Sequence, residues 1–199
     1  LTAPSGGGDA FQFLGHGPLP AGAVRYAAAF DALPEAPSTS FAPPLAAIYA
    51  VGEDGAFGAT DGLPWDWPAD REHFERATRG RAVIMGRGTF DETGQPLAGR
   101  VNVVVSRSMA PRPGVEIART LEEGIATARR HDPMPLVIGG AALLTQAWPL
   151  VTRAYVTTIP RAPGGDVFFR PDRSDLVAVA RWADGEGARY EILARRSPP

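Results

Sequence analysis

From Leu45 onward the chain breaks into short apolar runs of four to seven residues, LAAIYAV, AVIMG, VNVVVS, VEIA, PLVIGG and AYVTTI. Runs this short, rich in β-branched residues, predict strands, and several are apolar at consecutive positions, as in a sheet covered on both faces. Between them the apolar spacing changes to that of helices, over about Pro68 to Ala77, Leu121 to Arg130 and Ala141 to Ala147. Asp66 is placed to cap the first helix, and Pro68 suits its first turn. Thr120 and Glu123 have the spacing of a capping box ahead of the second, and Pro149 ends the third. The tail, LVAVARW, then DGEG, then ARYEILAR, reads as an antiparallel hairpin. No internal repeat is visible. The pattern predicts a single α/β domain with a mostly parallel sheet and an antiparallel edge at its C-terminal end.

Residues 1–44 lack this alternation. They are rich in Gly, Pro, Ser and Ala, with proline at positions 4, 18, 20, 34, 37, 43 and 44. Such composition predicts a weakly ordered extension or a wrap over the surface. Within it, Ala23 to Leu33 could form a short helix, and Phe11, Phe13, Tyr26 and Phe30 could dock on a neighbouring surface. The predicted organisation is therefore an extension over 1–44 and a folded domain over 45–199.

Composition narrows the classes of function. A net charge of −2 and a pI near 5.9 argue against general nucleic-acid binding, so any anion site must be local. All the basic charge is arginine, and cysteine is absent, which fits a reducing cytoplasm. No apolar run approaches the roughly 20 residues that span a bilayer, and the N-terminal residues carry no signal-like stretch. No membrane partner is expected, and the protein is expected to be a monomer. His16, His73 and His131 show no metal-ligand spacing.

The richest segment is IYAVGEDGAFGATDGLPWDWPADREHF, Ile48 to Phe74. It is a buried strand, a loop with four glycines, the tripeptide Leu63-Pro64-Trp65, and a helix carrying Asp70 with Phe74 one turn on along the same face. A helix N-terminus lowers a carboxyl's proton affinity by about 0.3–1 kcal/mol, whereas desolvation among Phe74, Ile48 and Leu97 can raise it much further. Burial is expected to win at Asp70. Two strand-to-helix turns follow the same logic at other points of the chain. VIMGRGTF sets Gly86, Arg87, Gly88 and Thr89 where free backbone N–H groups and a guanidinium face one point, a phosphate site, and LVIGGAAL repeats the turn with Gly139 and Gly140.

These segments, with VIMGRGTFDETGQPLAGRVNVVVSR and YVTTIPRAPGGDVFF, resemble dihydrofolate reductases in order and spacing over about Leu45 to Arg196. The resemblance implies a three-layer α/β fold with helices on both faces, NADPH as cofactor and dihydrofolate as substrate. It makes Asp70 the acid of the pterin pocket, Thr157 its hydrogen-bond partner, and Trp65 part of a loop that closes over the nicotinamide. Taken alone, Trp65 also fits a core aromatic and Thr157 a strand residue. A carboxylate's two acceptor oxygens match the adjacent N–H donors of a 2-amino-4-oxopterin. Its charge would also favour a proton at the neighbouring ring nitrogen.

The resemblance lines the substrate groove with Ile48, Tyr49, Ala50, Leu63, Phe74, Thr93, Leu97 and Ile138, and gives Arg100 the tail carboxylate of folate. For the cofactor it implies Ala50, Phe57, Gly58, Gly86, Arg87, Gly88 and Thr89, then Ser106 and Arg107 at the 2′-phosphate, and Ile138, Gly139, Gly140, Ala141, Ala142, Leu143 and Leu144, with a cis Gly-Gly peptide. Some positions depart from the pattern: Leu144 stands where a tyrosine is common, and Ala142 where some members carry a base. Arg71 and His73 stand where apolar residues are frequent, and Trp67 is bulky. Two other readings stay open here, a reductase of another pterin or aminopyrimidine, and a catalytically silent module that binds a partner through residues 1–44.

Overall fold

The computed structural model describes residues 43–59 and 62–196. The helix expected within 23–33 and the docking aromatics of the extension lie outside them. The described chain runs β1 (Ala46–Gly52), β2 (Ala56–Gly58), α1 (Pro68–Thr78), β3 (Ala82–Gly86), α2 (Arg87–Thr93), β4 (Val101–Val105) and β5 (Glu116–Ala118). It continues through α3 (Leu121–Arg129), β6 (Leu136–Gly139), α4 (Ala141–Ala147), a 3-10 turn (Trp148–Leu150), β7 (Arg153–Ile159), β8 (Val167–Phe168), β9 (Leu176–Ala183) and β10 (Arg189–Arg195).

Eight strands form one sheet in the order β5-β4-β3-β6-β1-β7-β10-β9. The first six are parallel, and β10 runs antiparallel between β7 and β9, so the expected parallel sheet with a C-terminal hairpin is present. Strand β1 alternates its allegiance. Ala47, Tyr49 and Val51 enter one core with Ile125 of α3 and Leu144 of α4, while Ala46 and Ile48 enter another with Phe74 and Ala77 of α1. Phe90 of α2 packs on the same side as α1, against Val83 and Met85. Helices thus cover both faces, which explains why β1 reads as continuous apolar sequence. At Gly124 of α3 an added Cβ would come within 2.9 Å of Val105 Cγ2, so glycine lets this helix lie close to the sheet.

The local signals are mostly obeyed, with instructive exceptions. Thr120 caps α3 by accepting from the Glu123 amide at 3.2 Å, but the Glu123 carboxylate reaches back to the Arg119 amide rather than to Thr120. Asp66 does not cap α1. The N-cap is Trp67, which has no side-chain cap bond, because Pro68 already occupies the first helical position and Asp66 pairs outward with Arg71. Pro149 does not stop the chain's coiling at once, since Ala147 leads into a 3-10 turn that tolerates it. Strands β2 and β8 were not marked by any apolar run; they pair only with each other, in a small second sheet. Among the described residues no helix is long and apolar enough to cross a membrane.

Candidate active site

Helix α1 begins where the Asp70 amide donates to the Trp67 carbonyl at 3.1 Å, which sets the Asp70 side chain on the sheet-facing side. The residue is 8% exposed. Thr157, 1% exposed, lies on β7 directly beside Ala50 in the strand register, and its hydroxyl donates to the Asp70 carboxylate. Burial raises the proton affinity of Asp70 above the ordinary carboxylate range, Thr157 opposes this, and the negative charge of Asp184 adds to it. The direction is the one expected from its apolar surroundings.

Asp184 sits in the β9–β10 turn, 117 residues from Trp67, yet its Oδ2 accepts from Trp67 Nε1 at 2.7 Å and from Tyr190 Oη at 3.0 Å. Partial burial would raise Asp184, but these bonds and two backbone amides hold it below its usual range. His73, on the same helix as Asp70, is enclosed edge-on by Trp182 and Tyr190 at 5.4 and 5.1 Å. Burial, with Arg76 nearby, lowers its pKa to about 4, so this histidine is neutral near pH 7. It is outside the main cavity, as is Trp65, which lines a smaller one of about 300 Å³ that also reaches Asp70.

Asp70 opens on a cavity of about 1000 Å³. Ile48, Tyr49 and Ala50 of β1, Phe74 of α1, and Thr93 and Leu97 line the part nearest the acid, although the Tyr49 ring packs edge-on against Trp148 and Phe169 in the core. Phe57, Gly58 and Leu63 contribute from the glycine-rich loop, Leu63 being 55% exposed. Ile138 of β6 also lines the cavity. Further along are Gly86, Gly88 and Thr89, then Gly140, Ala141, Ala142 and Leu143, and finally Ser106 and Arg107.

The two glycine turns meet because β3 and β6 are parallel neighbours. The Gly139–Gly140 peptide is cis, and Gly139 has φ 146°, a conformation that L side chains rarely adopt. A Cβ there would lie 3.2 Å from Thr89 Oγ1. Neither α2 nor α4 has a side-chain cap, so the N–H groups of both first turns remain for a ligand. The two turns form one cradle, and its chemistry suits phosphate.

Besides Trp65 and Thr157, four expected residues do not line the main cavity. Arg87 is drawn off along its own helix, donating to Asp91 Oδ2 at 3.1 Å and to Ser108 Oγ at 3.2 Å, and does not line the cavity. Leu144 is fully buried in the core, because α4 turns Leu143 rather than Leu144 toward the cavity. Gly139 is buried just beneath the wall and presents Gly140. Arg100 lies in a side pocket of about 380 Å³ beyond Leu97. There its Nε donates to Thr78 Oγ1 at 2.8 Å, Nη1 to the Ala98 carbonyl at 2.8 Å, and Nη2 to Glu75 Oε2 at 2.7 Å.

Other lining residues escaped the sequence reading. Arg119, Thr120 and Glu122 border the cavity at the β5-to-α3 junction, and Arg119 Nη1 is steadied by the carbonyls of Ser106 and Met109 at 2.8 and 3.1 Å. The signal was available: this is a third strand-to-helix turn, with a base beside a capped helix start. Arg71, Glu92, Gln146 and Val167 also face the cavity but carry no local motif. Taken together, one end presents two arginines and unspent N–H groups, the other an enclosed carboxyl among apolar side chains. Such a cavity fits a phosphorylated dinucleotide lying end to end with a flat, hydrogen-bonding heterocycle.

The sequence profile of the family described as dihydrofolate reductase matches residues 44–190. A type 3 dihydrofolate reductase of Salmonella typhimurium is 39% identical over 133 residues, 66% of this chain and 81% of that protein. A dihydrofolate reductase of Mycobacterium tuberculosis is 37% identical over 158 residues, 74% of this chain and 94% of its own. Among solved structures, Enterococcus faecalis dihydrofolate reductase complexed with NADP(H) and RAB-propyl superposes with a TM-score of 0.71 at 30% identity, covering 79% of this chain and 99% of that one.

Proposed function

The chain belongs to the dihydrofolate reductase family, and from that premise we propose how its residues divide the work of reducing 7,8-dihydrofolate to tetrahydrofolate. The enzyme is an NADPH-dependent oxidoreductase: one dihydrofolate, one NADPH and one proton give tetrahydrofolate and NADP⁺. When bound, NADPH supplies the hydride. Everything else is done by side chains and backbone of this chain.

The observation that carries the assignment is Asp70, a sealed carboxyl held by Thr157 at the apolar end of a cavity whose far end is basic. Asp70 accepts two parallel hydrogen bonds from the pterin's amino and ring N–H groups, which orients the ring over Ile48 and beside Phe74. Its negative charge raises the proton affinity of the ring nitrogen next to the carbon that is reduced, so the proton is taken up where it is needed. Thr157 keeps the carboxylate in plane. Phe57, Gly58, Leu63 and Trp65 form the cover that excludes water. The first-turn amides of α2 and α4 hold the pyrophosphate, while Ser106, Arg107 and the added Arg119 hold the adenosine end. Arg87, half exposed and turned onto Asp91, is a reserve that must rotate to contribute. Residues 45–199 form the catalytic unit in this reading, and a cysteine-free chain suits a reducing cytoplasm.

The test is a spectrophotometric assay of NADPH or NADH oxidation with dihydrofolate. The native chain should prefer NADPH. Arg107→Ala should weaken NADPH by about ten- to a hundredfold and leave NADH nearly unchanged, since one charge-assisted bond is worth about 1.5–3 kcal/mol. A chain inactive with both cofactors would refute the reading. One observation favours a substrate without a charged tail, namely the Glu75 carboxylate already seated on Arg100.

A further inference from the structure

Arg100 is 3% exposed and its guanidinium is spent on three sides: Thr78 takes Nε, the Ala98 carbonyl takes Nη1, and Phe74 lies 5.9 Å beneath it. The Nη2 side is taken by Glu75, through Oε2 at 2.7 Å and its carbonyl at 3.5 Å, so an incoming anion meets Glu75 at this edge. Glu75 is 47% exposed, so it is the member of the pair with open space to turn into. A second arginine stands within its reach, Arg79, whose Nη2 is 3.7 Å from the same oxygen and whose side chain is more than half exposed. All three border the side pocket that continues from Leu97, a residue shared with the main cavity.

We propose that Glu75 is a specificity-determining residue, an internal carboxylate that competes with the substrate's tail carboxylate for Arg100 and yields by swinging onto Arg79. The inference rests on the dihydrofolate reductase reading of the main cavity. Its physical basis is simple exchange. An incoming carboxylate gains the buried cation only by displacing one that already satisfies it, so much of the attraction is cancelled by the bond that is lost. A desolvated arginine left without an anion would be costly, which favours keeping Glu75 in place while the tail is absent. Arg79 lowers the barrier to exchange because Glu75 trades one cation for another in the same step. The groove therefore accepts an anionic tail but discriminates weakly against a pterin that lacks one.

The experiment compares dihydrofolate with a 6-methyl dihydropterin that has no p-aminobenzoyl-glutamate arm, using the full chain with NADPH. Equilibrium binding of folate and 6-methylpterin is followed in parallel by quenching of tryptophan fluorescence. In Glu75→Gln the ratio of kcat/KM for dihydrofolate over the tail-less pterin should rise about three- to tenfold, with the change in KM and in the folate Kd rather than in kcat. The gain should vanish when Arg100→Ala is added, because the competition has lost its object. Glu75→Ala serves as a second variant and should move the ratio in the same direction. A ratio that does not rise in either variant, or a gain that survives loss of Arg100, overturns the proposal. If the native chain reduces neither pterin, it is the functional reading that fails; if it reduces dihydrofolate and the ratio stays flat, only this inference does.

Discussion

Helix α1 carries a carboxylate at each end of the site, and the two are treated in opposite ways. At its first turn Asp70 is sealed among apolar residues with a single hydroxyl donor, Thr157, and no arginine on it. At its last turns Glu75 stands half in solvent with a buried arginine on one side and an exposed one on the other. In the proposed mechanism, burial without a cation makes the first a group whose proton affinity matters to chemistry, and pairing makes the second a group whose position matters to selection. They stand only five positions apart, so the difference is made by what the sheet and the 94–100 loop bring up to the helix.

Removing the first charge should have the largest consequence. Asp70→Asn is expected to bind NADPH but to lose about 10² to 10⁴ in turnover near neutral pH, since an amide neither carries the charge nor accepts both pterin donors. Native-like turnover would erase the contrast between the two ends. The same variant reports on burial. Because the folded chain binds the Asp70 proton more tightly than the unfolded chain, this group favours folding fully below the ordinary value near 3.8 and loses that contribution as pH rises through its raised folded value. Without ligand, Asp70→Asn should therefore match the native chain in acid and become the more stable of the two toward neutral pH, as urea titrations at several pH values would show.

At the other end, Arg100→Ala should raise KM for dihydrofolate about tenfold while kcat changes little, the low end of what one charge-assisted contact contributes because Glu75 already offsets part of it. A loss in kcat equal to that in Asp70→Asn would mean that the two ends are not separate. The smallest effect is expected behind Asp70. Asp184→Asn removes a negative neighbour and loosens the Trp67 anchor of the helix start. The Asp70 ionisation, followed by carboxyl NMR, should move modestly to lower pH. An upward shift, or none, would limit Asp184 to holding the hairpin.

Much of this was legible from local pattern. The strand runs, the three helices expected from apolar spacing, the Thr120 cap and the Gly139–Gly140 turn all appear where spacing and turn chemistry put them, because each is specified within a few neighbouring residues. Asp70 and Thr157 were legible through their resemblance to a family, and the direction of the Asp70 shift through the apolar residues around it. What the chain order did not disclose is whom each long polar side chain meets. Asp66 turned from capping to Arg71, Arg87 from the cavity to Asp91 and Ser108, and Arg100 to Glu75, while Asp184 crossed 117 residues to reach Trp67.

The sequence by itself determined the strand and helix runs and the two glycine turns, since periodicity and backbone geometry are short-range properties, while the enclosed acid was legible through the family resemblance. Only the tertiary structure decided which arginines are free to face a ligand and which are already held. An arginine spans several ångströms and can satisfy its donors in many ways, so its partner is chosen by whatever oxygen the folded neighbours bring within reach.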